Sequence, residues 1–309
     1  MSVIVVQNLT KKYGDQVAVD NISFQINKKE IVGFIGPNGA GKSTTMRMLC
    51  SYMQPSSGAI TIDGVPLDIG TIDIKRKIGY LPENNPLYLD MTIVDFLDFC
   101  ARIQGVDKTA VGDRVKKMIR ICGLNPEKHK KIGELSKGYR QRVGLAQAII
   151  HDPEILILDE PTTGLDPNQI IEIRSLIKEL GREKTIILSS HILSEIEAIC
   201  DKVIIINQGK IVADDSFETL KKDSNTHQVL LLEIESKDPK KVEKQLSAIK
   251  GVEKILPVAG KPGSFKLVCT LDNALKKEIF SLCVKNQWFL LEMSAIETTL
   301  EDVFREITH

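Results

Sequence analysis

Two stretches of the 309-residue sequence hold side chains whose types and spacing could do chemistry on a phosphate. The first, Gly36-Pro37-Asn38-Gly39-Ala40-Gly41-Lys42-Ser43-Thr44, fits the pattern G-x-x-x-x-G-K-[ST]. It follows the apolar run IVGFI and precedes a segment with Met46, Met48 and Leu49, the strand–loop–helix setting that the pattern requires. Glycines allow the main chain to close around phosphate oxygens with successive N–H groups pointing inward. A helix starting near Lys42 adds its positive end. Lys42 then supplies a charge for the β- and γ-phosphates, and the Ser43 hydroxyl a ligand for Mg²⁺. The second stretch, Glu154-Ile155-Leu156-Ile157-Leu158-Asp159-Glu160-Pro161, sets two carboxylates at the C-terminal end of an apolar strand, where ligands of open α/β sheets sit. There Asp159 would orient Mg²⁺, and Glu160 would lie beside the γ-phosphate and polarise an attacking water. An acidic strand end alone is often merely solvated. The phosphate loop upstream turns the reading toward catalysis.

These groups need a frame. Residues 3–10, 20–27 and 59–64 read as strands bounded by turn residues. IVGFIG (31–36), EILILDE (154–160), TIILSS (185–190) and the run from Val203 are continuous apolar segments, as expected of strands buried on both faces. Asn207-Gln208-Gly209 turns the last of these into KIVADD. From about 85 to 150 the pattern is helical: Thr92 with Asp95 starts one helix, VGDRVKKMIRICGL ends at Gly123, and Ser136 caps KGYRQRVGLAQAII. A polar stretch at 221–227 reads as a linker, dividing the chain into domains 1–222 and 223–309. Beyond it the order β-α-β-β-α-β predicts a ferredoxin-like α+β domain, followed by a last helix, ETTLEDVFREIT.

Composition narrows the function classes. Forty-one basic residues balance 41 acidic ones, against a protein held to nucleic acid mainly by phosphate contacts. No apolar run reaches the length of a membrane-spanning helix, and Val3–Val6 reads as a strand rather than a signal peptide. The six cysteines form no C-x-x-C pair and sit in settings typical of buried thiols in a reducing compartment. The five histidines show no metal-ligand spacing.

Between the two phosphate motifs, Leu135-Ser136-Lys137-Gly138-Tyr139-Arg140-Gln141-Arg142 resembles the signature sequence of ATP-binding cassette (ABC) ATPases. The family's other motifs have counterparts at familiar spacing. Tyr13 before Gly14 resembles the aromatic that stacks on adenine, and Gly79-Tyr80-Leu81-Pro82-Glu83 the loop joining core to helical insertion. Gly164-Leu165-Asp166 resembles the loop that crosses the dimer, and Ser189-Ser190-His191 the switch histidine. The resemblance covers about residues 1–220. It implies an α/β P-loop NTPase cassette with RecA-like core, antiparallel β subdomain and helical subdomain. It further implies Mg-ATP hydrolysis at two sites of a head-to-tail homodimer, each built from one subunit's phosphate loop and the other's Ser136 and Gly138, with His191 positioning Glu160. It departs from the pattern where Glu83 replaces a glutamine, Lys137 the signature's second glycine and Tyr139 its glutamine. Such variants, and an extension ending in Leu300-Glu301-Asp302-Val303-Phe304, resemble the ABC-2 exporter branch. That implies a cytoplasmic subunit, peripheral on the inner face of the cell membrane, working with a separate integral membrane permease and no nucleic acid. The alternatives fit less well: ribosome-acting cassettes pair two phosphate loops in one chain, DNA-repair cassettes need a long coiled coil, and a non-hydrolysing regulator has no use for Glu160 and His191.

Overall fold

The computed structural model describes residues 2–68, 72–224, 227–236, 238–258, 261, 263–270 and 273–296. The chain divides into two compact units after Ser216.

In the first unit a six-stranded sheet has the order Lys210–Ser216, Lys202–Asn207, Ile31–Ile35, Thr185–Ser190, Ile155–Asp159, Ile78–Leu81. All pairs are parallel except the terminal hairpin of Lys202–Asn207 with Lys210–Ser216. Every residue of Ile31–Ile35, Ile155–Asp159 and Thr185–Ser190 is buried, the outcome for apolar strands covered on both faces. A second, antiparallel sheet orders Gln16–Asn27, Ser2–Tyr13, Ser57–Ile62 and Val65–Pro66. The two sheets share a core in which the Phe24 and Phe34 rings lie 5.9 Å apart.

One segment departs from the sequence reading. Gly79-Tyr80-Leu81, expected within the connecting loop, instead form with Ile78 the edge strand Ile78–Leu81 beside Ile155–Asp159. A glycine inside a run of four residues hides the strand pattern. Gly79 is required there because a Cβ would strike the Ala148 carbonyl. The loop proper begins at Pro82.

The helical insertion follows its caps. The Thr92 hydroxyl accepts the Asp95 N–H (3.2 Å) and opens Ile93–Ile103, and Ser136 opens Lys137–Ile149 in the same way. Phe96, Leu97, Val115, Met118 and Val143 are buried on the helices of this insertion.

The second unit has the expected ferredoxin-like order. Strands Val252–Pro257, Ser264–Thr270, His227–Glu235 and Phe289–Ile296 lie side by side, all antiparallel. Helices Pro239–Leu246 and Asn273–Asn286 contribute Val242, Leu246, Leu275 and Ile279 to a core shared with Leu230, Leu232, Phe265 and Leu267. A helix, Phe217–Ser224, runs into the stretch read as a linker. The final helix and Leu300–Phe304 lie outside the described residues.

Candidate nucleotide site

The strand Ile31–Ile35 delivers the chain to the phosphate loop, and the helix Lys42–Leu49 carries it away. Gly41 sits before the helix at φ 108°, a conformation open to glycine, and a Cβ there would lie 2.5 Å from the Ala18 carbonyl. A Cβ on Gly36 would strike the Ile206 carbonyl. At Gly36 and Gly41 the loop is thus held close to two other strands with no room for a side chain. Lys42 folds back over it, its ammonium donating to the Gly36 carbonyl (2.7 Å) and the Pro37 carbonyl (3.2 Å). Burial pushes this amine below the ordinary lysine value, while the charges of Glu160, Asp159 and Glu83 pull it back.

The acidic strand ends against this loop. Asp159 is buried, and its Oδ1 accepts from Ser189 Oγ (2.6 Å) and Ser43 Oγ (3.3 Å). Glu160 turns out of the strand at φ 52°, a left-handed conformation that costs a non-glycine residue about 1 kcal/mol. Its N–H is held by Ser189 Oγ at 2.9 Å. Its Oε2 accepts from His191 Nδ1 at 2.7 Å and Thr163 Oγ1 at 3.0 Å. The Glu160 carboxylate is nearly covered, while His191 is half exposed and faces the open side.

A cleft of about 610 Å³ gathers these groups: Tyr13, Asn38, Gly39, Gly41, Lys42, Ser43, Thr44, Glu83, Glu160 and His191 all line it, with Gln16, Ala18 and Thr163. Gly36 and Pro37 hold Lys42 from behind, Ala40 is buried, and Asp159 reaches the cleft through Ser43. Tyr13 stands at the mouth, its hydroxyl on Met53 Sδ (2.9 Å) and the Lys11 ammonium 5.5 Å from its ring centre. Ser136, Gly138 and Asp166 are absent from the lining. Ser136 caps its own helix, Gly138 packs on the Gln169 side chain, and Asp166 accepts the Gln169 N–H at 3.0 Å to cap Pro167–Gly181. Ser189 and Thr163 are the contacts that spacing did not reveal. Ser189 faces Asp159 in the parallel ladder, and a pairing of the two apolar strands is the signal that would have found it. A larger groove, about 720 Å³, lies between the two helices of the second unit and holds neither phosphate loop nor paired acids.

The ABC transporter family model matches residues 19–163, and an AAA-domain model described as a putative AbiEii toxin matches 131–197. An ABC transporter ATP-binding protein of Bacillus subtilis, YxlF, is 34% identical over 98% of this chain and 99% of its own. The chain belongs to the ABC transporter ATP-binding protein family. The bacitracin transport ATP-binding protein BcrA of Bacillus licheniformis is 44% identical to this cassette over 72% of each chain. A solved ATP-binding subunit of an ABC transporter superposes with TM-score 0.66 at 30% identity, covering 72% of this chain and 93% of that one. A bacterial ABC transporter cassette solved as a dimer superposes with TM-score 0.64 at 25% identity, over 69% and 98%. As an ABC cassette this chain binds ATP and hydrolyses it, as the ATP-binding subunit of a transporter.

Proposed function

We propose that this subunit drives export through a separate integral membrane permease, with Glu160 as the general base and Lys42 and His191 as its partners in catalysis. The observation that carries the reading is the Glu160 carboxylate, fixed by His191 and Thr163 at the wall of the cleft that Lys42 and Ser43 also line. A carboxylate held by two donors keeps one orientation, which in-line attack by water on a γ-phosphate needs. The loop N–H groups and Lys42 would take the phosphates, and Tyr13 the base.

Ser43 Oγ and Asp159 Oδ1 are already paired, and both are hard oxygen donors. That set fits Mg²⁺, which takes one or two protein oxygens and completes its shell with phosphate and water. Glu83, on the cleft wall, would add a third oxygen in place of the family's amide. Bound there, Mg²⁺ would neutralise phosphate charge.

Ser136, Gly138 and Asp166 do not line their own cleft, which supports the head-to-tail homodimer in which they serve the partner's nucleotide. A permease needs a surface close to this machinery. Just after Glu83, the Tyr88 ring stacks edge-on against Phe99 (5.6 Å), and Tyr88, Leu89 and Ile103 are exposed. No helix among the described residues is long and apolar enough to cross a membrane. From the kinship with transport ATP-binding proteins, the proposed seat is cytoplasmic, at the inner membrane face. The unit after Ser216 is proposed to hold two cassettes near each other between ATP cycles.

The test is purification from detergent-solubilised membranes. The wild-type chain should retain an integral membrane protein, and Tyr88→Asp with Ile103→Asp should lose it while keeping ATPase activity. Wild-type chain that comes with ribosomes, or with no membrane protein, would overturn the export reading.

A further inference from the structure

The catalytic contact Glu160–His191 joins two loops that leave the sheet separately. One runs from Glu160 through Thr163, the other from Ser190 through Ile192. The ladder between their parent strands ends at Asp159 paired with Ser189, so main-chain pairing does not fix the loops beyond that point. A second carboxylate does. Glu195, in the first turn of the helix Leu193–Ile199, is 2% exposed. Its Oε2 accepts from the Thr162 hydroxyl of the first loop and from the Ser190 hydroxyl of the second, at 3.4 Å for Ser190. Ser190 Oγ in turn accepts the Ile192 N–H at 3.0 Å, which shapes the turn carrying His191. Glu195 Oε1 faces the Arg174 guanidinium at 3.8 Å.

A buried carboxylate is costly to place. Its desolvation is repaid only in part by one ion pair and two hydroxyls, and apolar residues of similar size often serve stability as well or better. What an apolar residue could not do is bind both loops at one oxygen. We propose that Glu195 is a positioning residue: through Thr162 and Ser190 it holds the Glu160 loop and the His191 loop in the register that makes their 2.7 Å contact. It does not line the nucleotide cleft. Its role is in the geometry of the base, and Lys42 and Ser43 bind phosphate independently of it. This rests on the reading of Glu160 as the base.

The experiment uses the full chain and compares steady-state kcat with ATP affinity measured by calorimetry. Glu195→Gln and Thr162→Val each keep side-chain shape and alter the bridge. Both should lower kcat about 10- to 100-fold, the scale of a misplaced catalytic group, with affinity within about twofold of wild type. Thr162→Ser, which keeps the hydroxyl, should recover most of the kcat lost in Thr162→Val. Adding Glu195→Gln to His191→Ala should cost little more than His191→Ala alone, since the register then has nothing to align. The proposal is overturned if the Glu195 and Thr162 variants retain kcat while Glu160→Gln is inactive. It is equally overturned if kcat and affinity fall together, the mark of general structural damage. If Glu160→Gln itself keeps turnover, the base assignment fails and this proposal falls with it.

Discussion

Glu160 and His191, 31 positions apart in the chain, meet through Oε2 and Nδ1 at 2.7 Å. The contact orients a carboxylate that stands in a left-handed backbone conformation at the rim of the nucleotide cleft. The same oxygen also takes the Thr163 hydroxyl, so two donors and a strained main chain fix one direction for the charge.

Replacing Glu160 by Gln preserves shape and removes the charge. The variant should bind ATP as wild type does and lose turnover by about 10²-fold or more, the scale for a positioned general base. Phosphate release against ATP binding measures the split, and wild-type rates would refute the assignment. His191→Ala should fall in the same direction by less, because Thr163 still holds the carboxylate.

Gly41→Ala should damage binding itself. The residue has φ 108°, and the added carbon would meet the Ala18 carbonyl, so the loop must move from its place around the phosphates. Calorimetry should show ATP affinity lost by more than about tenfold, roughly the 1–3 kcal/mol of strain at such a site.

Ser136 and Lys42 should complement each other in trans. Ser136→Arg and Lys42→Ala homodimers each have two broken sites and should be nearly inactive. A mixture should regain activity, because the mixed dimer keeps one site built from an intact phosphate loop and an intact Ser136. A mixture as inactive as its components would place Ser136 outside the partner's site. In Glu160→Gln with Mg-ATP, light scattering should give twice the 34.4 kDa chain mass.

His151 should make folding acid-sensitive. Burial holds its imidazole below the ordinary value of 6.5, although its Nε2 hydrogen-bonds the Ile78 carbonyl (3.2 Å). The unfolded chain then binds the proton more readily than the folded one, so stability falls as pH drops below about 6.5. The shift is complete once pH passes the lowered folded value. Asp63, Asp98 and Asp152 are held below 3.8 chiefly by hydrogen bonds from Lys77, Arg102 and Lys184, so their losses come in a separate window, below that value. Urea unfolding at pH 7.5, 6.5 and 5.5 should show the slope, and His151→Gln should flatten it.

Shortening the chain tests the second unit. A cut at Lys222 would sever the helix Phe217–Ser224, so the truncation should end after Ser224. Its ATPase rate should become steeply dependent on protein concentration while the limiting rate is kept, because tethering raises effective concentration. An unchanged concentration dependence would remove the tethering role.

Local pattern alone determined much of this protein. Apolar runs of five or six residues marked Ile31–Ile35, Ile155–Asp159 and Thr185–Ser190, because strands covered on both faces have no polar side. Hydroxyls at Thr92 and Ser136 marked helix starts, because a cap is made within three residues of itself. The phosphate loop was legible because its glycines and lysine act within one turn of chain. The tertiary structure decided what depends on which strands become neighbours. Parallel pairing carries no turn to announce it, so Gly79–Leu81 reads as loop in the sequence and is a strand only because Ile155–Asp159 lies beside it. Parallel pairing of Ile155–Asp159 with Thr185–Ser190 likewise brings Ser189 to Asp159, and beyond that last pair the two loops are joined by Glu195. A hydroxyl 30 residues away from the acid it serves leaves no periodic trace in the sequence. Its partner is fixed by sheet register, a property of the folded chain.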